Sequence, residues 1–391
     1  MSAVRPAVSF EATESGLFDA YRDRDGVVLQ HGREGLAAAG ESQEIKVIAG
    51  PEHVRRAADL VRTALAGSAG QRIAMGALPF AGSCDAVLRV PERVIRGVPA
   101  YEEVAPEAVW AVTALIPEPL PVAYEAAVER ALEAIEAGEV EKVVLARTLL
   151  VETDAPIDPR LLARRLQAEE QSAYVYLVAL PGGSHLVGAS PELVVRRRGR
   201  KVFSDPLAGT ARRSRDRMRD QEIARQLLDT VKEQREHRLV AEAVADALAP
   251  FCVNLTVDSE AGITSTATLW HLHTAIKGTL KLDAPDALTI AAALHPTPAV
   301  CGTPQPTAAA LIEHLEPIDR RFFAGLVGWV DAQGDGEWAL SLRCAEVSGG
   351  NARLHAGAGI VAGSVPASED LETEAKFGVG LRALGALPAE D

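Results

Sequence analysis

The chain is poor in cysteine: four in 391 residues, at Cys84, Cys252, Cys301 and Cys344, far apart and without a CxxC pair. That spacing excludes a dense disulfide framework and the usual zinc pattern, so a reducing cytoplasm is the expected compartment. Positive charge is also scarce, with 40 Lys+Arg against 54 Asp+Glu and a net charge of −14. Polyphosphate binding needs a basic footprint, so no nucleic-acid partner is expected. No apolar run approaches the ~18 residues of a membrane span, and the opening MSAVRPAVSFEATESG lacks the basic and then apolar order of a secretory leader. No membrane association is expected. A phosphate-cradling GxxxxGK[ST] loop is missing, which weighs against a magnesium phosphohydrolase. What is present is average for a globular protein, 48% hydrophobic and 24% charged, and suffices for a sizeable core.

Up to about residue 115, short β-like runs alternate with Ala-rich helical stretches, and no chemical motif stands out. Ile116 to Pro121 holds three prolines and reads as an extended connector. A helix is expected over 122–137, with Gly138 as its stop. Residues 141–151 are rich in β-branched side chains and read as a strand that puts Lys142 on one face with Val144 and Ala146. A hairpin is expected over 172–195, turning at Pro181 to Ser184. Residues 216–248 read as one long helix with Glu233, Glu236 and His237 in its middle. Two further β-rich segments, 323–330 and 338–342, flank a turn at 331–336. The chain closes with a strand at 352–355, a glycine-rich turn at Gly357, Gly359 and Gly363, and a helix capped by Ser368 and ending near Leu384.

Several side chains could carry chemistry. On the last helix Glu369, Glu372 and Lys376 share a face, either as a capped surface helix with one ion pair or as a cation site suited to magnesium. Glu236 by itself carries no local signal. Arg343 reads as a strand residue offering a fork to a carboxylate, or as half of a structural pair. Lys142 and Glu192 each fall within a β-run, where an inward charge is costly without a partner or a polar cleft. A lysine base, a carboxyl acid and dispersed acidic metal ligands suit proton transfer on a carboxylated substrate.

The order of the motifs is more informative than any one of them. They run EKVVLAR (141–147), GASPE (188–192), PLAGTARR (206–213), REH (235–237), LWHLH (269–273), LHPTPA (294–299), GDGEW (334–338), LRCA (342–345) and AGAGIV (356–361). This succession resembles the chorismate-utilising enzymes, and within them the isochorismate synthases of the siderophore type that feed 2,3-dihydroxybenzoate formation. The resemblance covers about residues 118–385. It implies a single α+β domain of packed β-sheets flanked by helices around a central cleft, with residues 1–117 as a loosely matched N-terminal part and 118–391 as the catalytic core.

The resemblance also implies site roles. Lys142 matches the base that activates water, and Glu192 the acid that protonates the departing hydroxyl. A lysine acts as base only when neutral, which burial favours. Glu236 and Glu372 match the direct Mg²⁺ ligands, and Glu369 a ligand that acts directly or through water. Arg343, Lys376 and the Gly359 backbone match the grip on substrate carboxylates, and His271, Gly209 and Thr210 match the pocket wall. Chorismate is then the substrate, a monomer the expected state, and no amidotransferase subunit is implied, because ammonia needs less activation than water and the anthranilate synthases typically lack a lysine at position 142. Two readings stay open beside this one. A salicylate synthase would go on to eliminate pyruvate, although Ala299 stands where that subgroup tends to carry a hydroxyl. A catalytically silent chorismate-binding paralogue would lack turnover. Siderophore, menaquinone and other fates of the product are not separable.

Overall fold

The computed structural model describes residues 10–11, 16–32, 34–66, 72–97 and 109–387. One 18-stranded sheet dominates, and a second sheet has three strands. Hydrogen-bonded neighbours trace a path through the large sheet from Cys252–Val257 through Ile276–Leu280 and Lys201–Asp205 to Leu193–Arg198 and Gly336–Leu340. It continues by Leu326–Asp331 into the N-terminal strands Ile73–Leu78, Ala86–Gly97, Glu34–Val47 and Val27–His31. It then returns by Tyr174–Ala179, His185–Ser190, Cys344–Ser348, Asn351–Val361 and Lys142–Thr153. These pairs are antiparallel, and residues before position 117 hydrogen-bond directly to strands from the rest of the chain. Alternation along each strand sends Val, Ile, Leu and Ala to two buried apolar clusters, covered by helices. The mixed α+β, single-domain architecture is as expected.

The structure corrects several local expectations. The proline segment is no free connector, since strand Val112–Glu118 runs through Pro117 and pairs with Lys142–Thr153. Among the described residues no further strand pairs with it, and an edge tolerates proline. The helix after it starts at Pro121, where the missing N–H is not needed. The 172–195 hairpin resolves into three strands, with Pro191 and Glu192 in the break between His185–Ser190 and Leu193–Arg198. Residues 216–248 form two helices, Arg217–Asp229 and Val231–Leu248. Thr230 separates them with an extended backbone, its hydroxyl donating to Gln226 O at 2.7 Å. Gly357 and Gly359 lie inside strand Asn351–Val361 rather than in a turn. The final helix spans Pro366–Leu384 and is capped by Val365, so Ser368 sits in its first turn. Arg343 leaves the strand entirely: it occupies the loop between Gly336–Leu340 and Cys344–Ser348 with φ +48°.

Candidate active site

Two strands and two helices build the floor of the site. Lys142–Thr153 and Asn351–Val361 pair in a register that sets Lys142 opposite Val361, Val144 opposite Gly359 and Ala146 opposite Gly357. Directly opposed residues share a face, so the two glycines open the surface that Lys142 faces. The opening is required. A Cβ on Gly359 would come within 2.1 Å of Glu236 Oε1 and 3.1 Å of Lys142 Cε. Helix Val231–Leu248 contributes Glu236, and Glu233 one turn before it, while helix Pro366–Leu384 contributes Glu369, Glu372 and Lys376.

The three-stranded sheet forms a wall. Thr210 on Leu207–Arg212 pairs with His271 on Leu269–His273, and a bulge between Ala208 and Thr210 is made by Gly209 at φ +76°. There a side chain would press on the Glu233 carbonyl. Thr210 Oγ1 and His271 Nδ1 lie 3.2 Å apart, and Thr210 N donates to Glu233 Oε2 at 3.0 Å. Glu192 and Arg343 come from the two breaks on the large sheet, tied down by Leu340 N→Glu192 O at 3.1 Å and Ala189 N→Arg343 O at 3.2 Å.

Glu192, Gly209, Thr210, Glu236, His271, Arg343, Gly359, Glu372 and Lys376 line one cavity of about 70 Å³, together with Ala299. Of the remaining expected residues, Lys142 is wholly buried and lies beside the cavity through Glu236, and Glu369 lines an adjoining groove of about 920 Å³ that shares Thr210 and Glu372 with it. A slightly larger groove, about 980 Å³ and lined by His31, Tyr174 and Trp329, holds none of these residues.

Charge in the site is arranged in pairs. Lys142 Nζ is 2.9 Å from Glu236 Oε1, Lys232 Nζ is 2.8 Å from Glu369 Oε1 and 3.4 Å from Glu233 Oε1, and Lys376 Nζ is 2.5 Å from Glu372 Oε1. Lys376 also donates to Gly357 O at 2.8 Å. Burial pushes the Glu236 carboxyl up, but the Lys142 ammonium outweighs it and holds it below the usual range. Burial and then Glu236 raise Glu233, while burial and then Glu372 raise Glu369, against the pull of Lys232. Together Glu233, Glu236, Glu369 and Glu372 form an all-oxygen, charge-rich donor set, the kind a hard dication takes. Among the described residues no three His, Cys, Asp or Glu side chains converge closely enough to hold a metal ion as they stand. Each carboxylate is drawn toward a lysine instead. The donor chemistry therefore suits magnesium, and the present spacing is set by the lysine pairs.

Two buried nitrogens of the cavity wall, Arg343 Nε and His271 Nε2, have no hydrogen-bond partner among the described residues. Burial keeps the His271 imidazole neutral, and the nearby Arg343 and Lys376 cations reinforce this. Native proteins rarely leave buried donors unmet, and a cluster of them marks the place of an acceptor-rich ligand. Glu192 is the opposite case. Burial pushes its carboxyl up to about 8, despite a backbone hydrogen bond at Leu207 and the charge of Lys142, so it carries a proton at neutral pH. If Glu192 donates that proton during turnover, the rate falls as pH rises through about 8, because only the protonated form can donate. A pH–rate profile checks this limb, and Glu192→Gln should remove it.

Sequence reading did not assign Glu233 or Lys232 to the site. Glu233 had a signal, since i,i+3 spacing from Glu236 puts both on one helical face; Lys232 had none, because its partner Glu369 lies 137 residues away.

Residues 99–385 match the family model described as "Chorismate binding enzyme". The chain belongs to that family. It is 43% identical to isochorismate synthase DhbC of Bacillus subtilis over 84% of this chain and 85% of that protein. It is 42% identical to isochorismate synthase EntC of Escherichia coli over 67% of each. The crystal structure of DhbC from Bacillus anthracis, named there for 2,3-dihydroxybenzoate-specific isochorismate synthase, superposes with a TM-score of 0.87 at 38% identity, covering 95% of this chain and 99% of that one. Anthranilate synthase component I from Streptococcus pneumoniae shares the fold, with a TM-score of 0.74 at 21% identity. Among the described residues no helix is long and apolar enough to cross a membrane.

Proposed function

We propose that the chain is an isochorismate synthase, an isomerase that removes the C4 hydroxyl of chorismate while water adds at C2. The observation that carries this is the cavity itself, where the unmet Arg343 Nε–H stands in the same wall as a carboxyl that keeps its proton at neutral pH. A substrate with two carboxylates needs such donors, and a departing hydroxyl needs such an acid. The high identity to named isochorismate synthases supports the same reading.

In this mechanism Arg343 and Lys376 hold carboxylate oxygens, with the Gly359 backbone, Gly209, Thr210 and neutral His271 shaping the walls. In its neutral form Lys142 takes a proton from the attacking water, and Glu192 gives one to the leaving hydroxyl. Bound on Glu236, Glu369 and Glu372, a magnesium ion would supply positive charge that neutralises a ring carboxylate and polarises it. Because water and not ammonia is the nucleophile, no amidotransferase subunit is required, and the protein acts as a monomer in the cytoplasm. The names of its relatives cover siderophore and menaquinone routes, so the proposed activity stops at isochorismate.

Ala299, an apolar side chain on the cavity wall, favours release at that point over pyruvate elimination. Incubation with chorismate and Mg²⁺ should give isochorismate by chromatography and no more than a trace of pyruvate in a lactate dehydrogenase assay. Salicylate and pyruvate in equal amounts as main products would reassign the chain to the salicylate synthases, and no turnover would make it a binding protein.

A further inference from the structure

Just beyond the wall strand that carries Thr210, the sequence places five arginines close together, Arg212, Arg213, Arg215, Arg217 and Arg219, in a chain whose net charge is −14. Arg213 is used internally. Its Nη2 lies 3.0 Å from Asp220 Oδ2, its Nη1 donates to Thr266 O at 3.1 Å, and its guanidinium lies over the Trp270 ring at 4.6 Å. The buried Asp220 also accepts from Trp270 Nε1 at 2.8 Å and Ser214 N at 2.9 Å. These bonds fix the corner from which the neighbouring arginines project.

Arg212 and Arg215 are exposed, and neither has an ion pair or side-chain hydrogen bond among the described residues. Both line the groove that leads to Thr210, Glu233, Glu369 and Glu372. Farther in, Lys232 is shared by Glu233 and Glu369, and Lys376 pairs with Glu372. Among the described residues that line the groove, Arg212 and Arg215 are the cations without an ion pair, while Glu374 lies 3.8 Å from Arg147, on a molecule whose net charge repels anions.

We propose that Arg212 and Arg215 form an electrostatic capture rim that draws the dianionic substrate into the groove and hands its carboxylates inward to Arg343. This rests on the isochorismate synthase reading for the identity of the dianion. Charged walls of one sign concentrate an oppositely charged ligand and speed its arrival, and salt screens the effect beyond about 8 Å at physiological ionic strength.

The test is steady-state kinetics on chorismate at saturating Mg²⁺ and several salt concentrations, comparing the unaltered protein with Arg212→Gln/Arg215→Gln and Arg212→Glu/Arg215→Glu. At low salt the glutamine pair should lower kcat/KM by roughly 3- to 10-fold with kcat unchanged. The glutamate pair should lower it further, and high salt should bring all three proteins together. An unchanged kcat/KM, a loss that salt does not erase, or an equal fall in kcat would overturn the capture role while leaving the activity in place. No turnover by the unaltered protein would overturn the activity and this inference with it.

Discussion

Replacing Glu192 by glutamine is expected to lower kcat by about 10²- to 10⁴-fold, the typical contribution of a positioned acid or base, without unfolding the protein. Glutamine keeps the size of the side chain and its hydrogen bond at Leu207, and deletes only the transferable proton. Lys142→Ala is expected to cost as much activity, but through a harsher change. The lysine is wholly buried, and its removal leaves Glu236 as an uncompensated buried charge, a defect that costs about 3–5 kcal/mol. The pair Lys142→Ala/Glu236→Gln removes both charges and should recover part of that stability without recovering activity. Thermal melts and steady-state kinetics on the three variants separate the two effects. A Glu192→Gln or Lys142→Ala enzyme with near-normal kcat would remove that residue from the proton transfers.

Chelation should abolish turnover, and Mg²⁺ should restore it. Glu236, Glu369 and Glu372 are each engaged by a lysine, so a dication must displace ammonium groups rather than drop into a ready cage. Binding therefore has a structural signature: Mg²⁺ should raise the melting temperature of the unaltered protein, and Glu236→Gln or Glu372→Gln should lose both that rise and the activity. Full activity after exhaustive chelation would refute the metal requirement.

How much of this could be seen in the sequence depended on the range of the forces involved. Strand Lys142–Thr153 was legible because β-branched residues fill it and alternation is local. The final helix was legible from its acidic first turns and from Gly385 at its end. Residues 216–248 misled because helical periodicity continues across Thr230, and only the bend of the backbone there separates the two helices. Gly357 and Gly359 looked like a turn, since glycine usually marks one. The actual purpose of Gly359, making room for Glu236 and Lys142 on the face of a strand, is set by a helix more than a hundred residues earlier. Arg343 was identified as a carboxylate ligand by motif while its placement in a left-handed loop was not, because that conformation is imposed by the packing around it. The ordered motifs named the chemistry and i,i+4 spacing gave the Lys376–Glu372 pair, while the Lys142–Glu236 and Lys232–Glu369 pairs appeared only in three dimensions.

The central claim is that this cavity adds water to chorismate at one carbon as a hydroxyl leaves another, with Glu192 and Lys142 moving the protons. The most direct measurement is turnover in oxygen-18 water, followed by mass spectrometry of the isolated product. The account predicts isochorismate whose C2 hydroxyl carries the heavy oxygen, formed by the unaltered protein and not by Glu192→Gln. Isochorismate free of label would mean that the hydroxyl migrates within the molecule, and would contradict the assignment of Lys142 as the base that activates water.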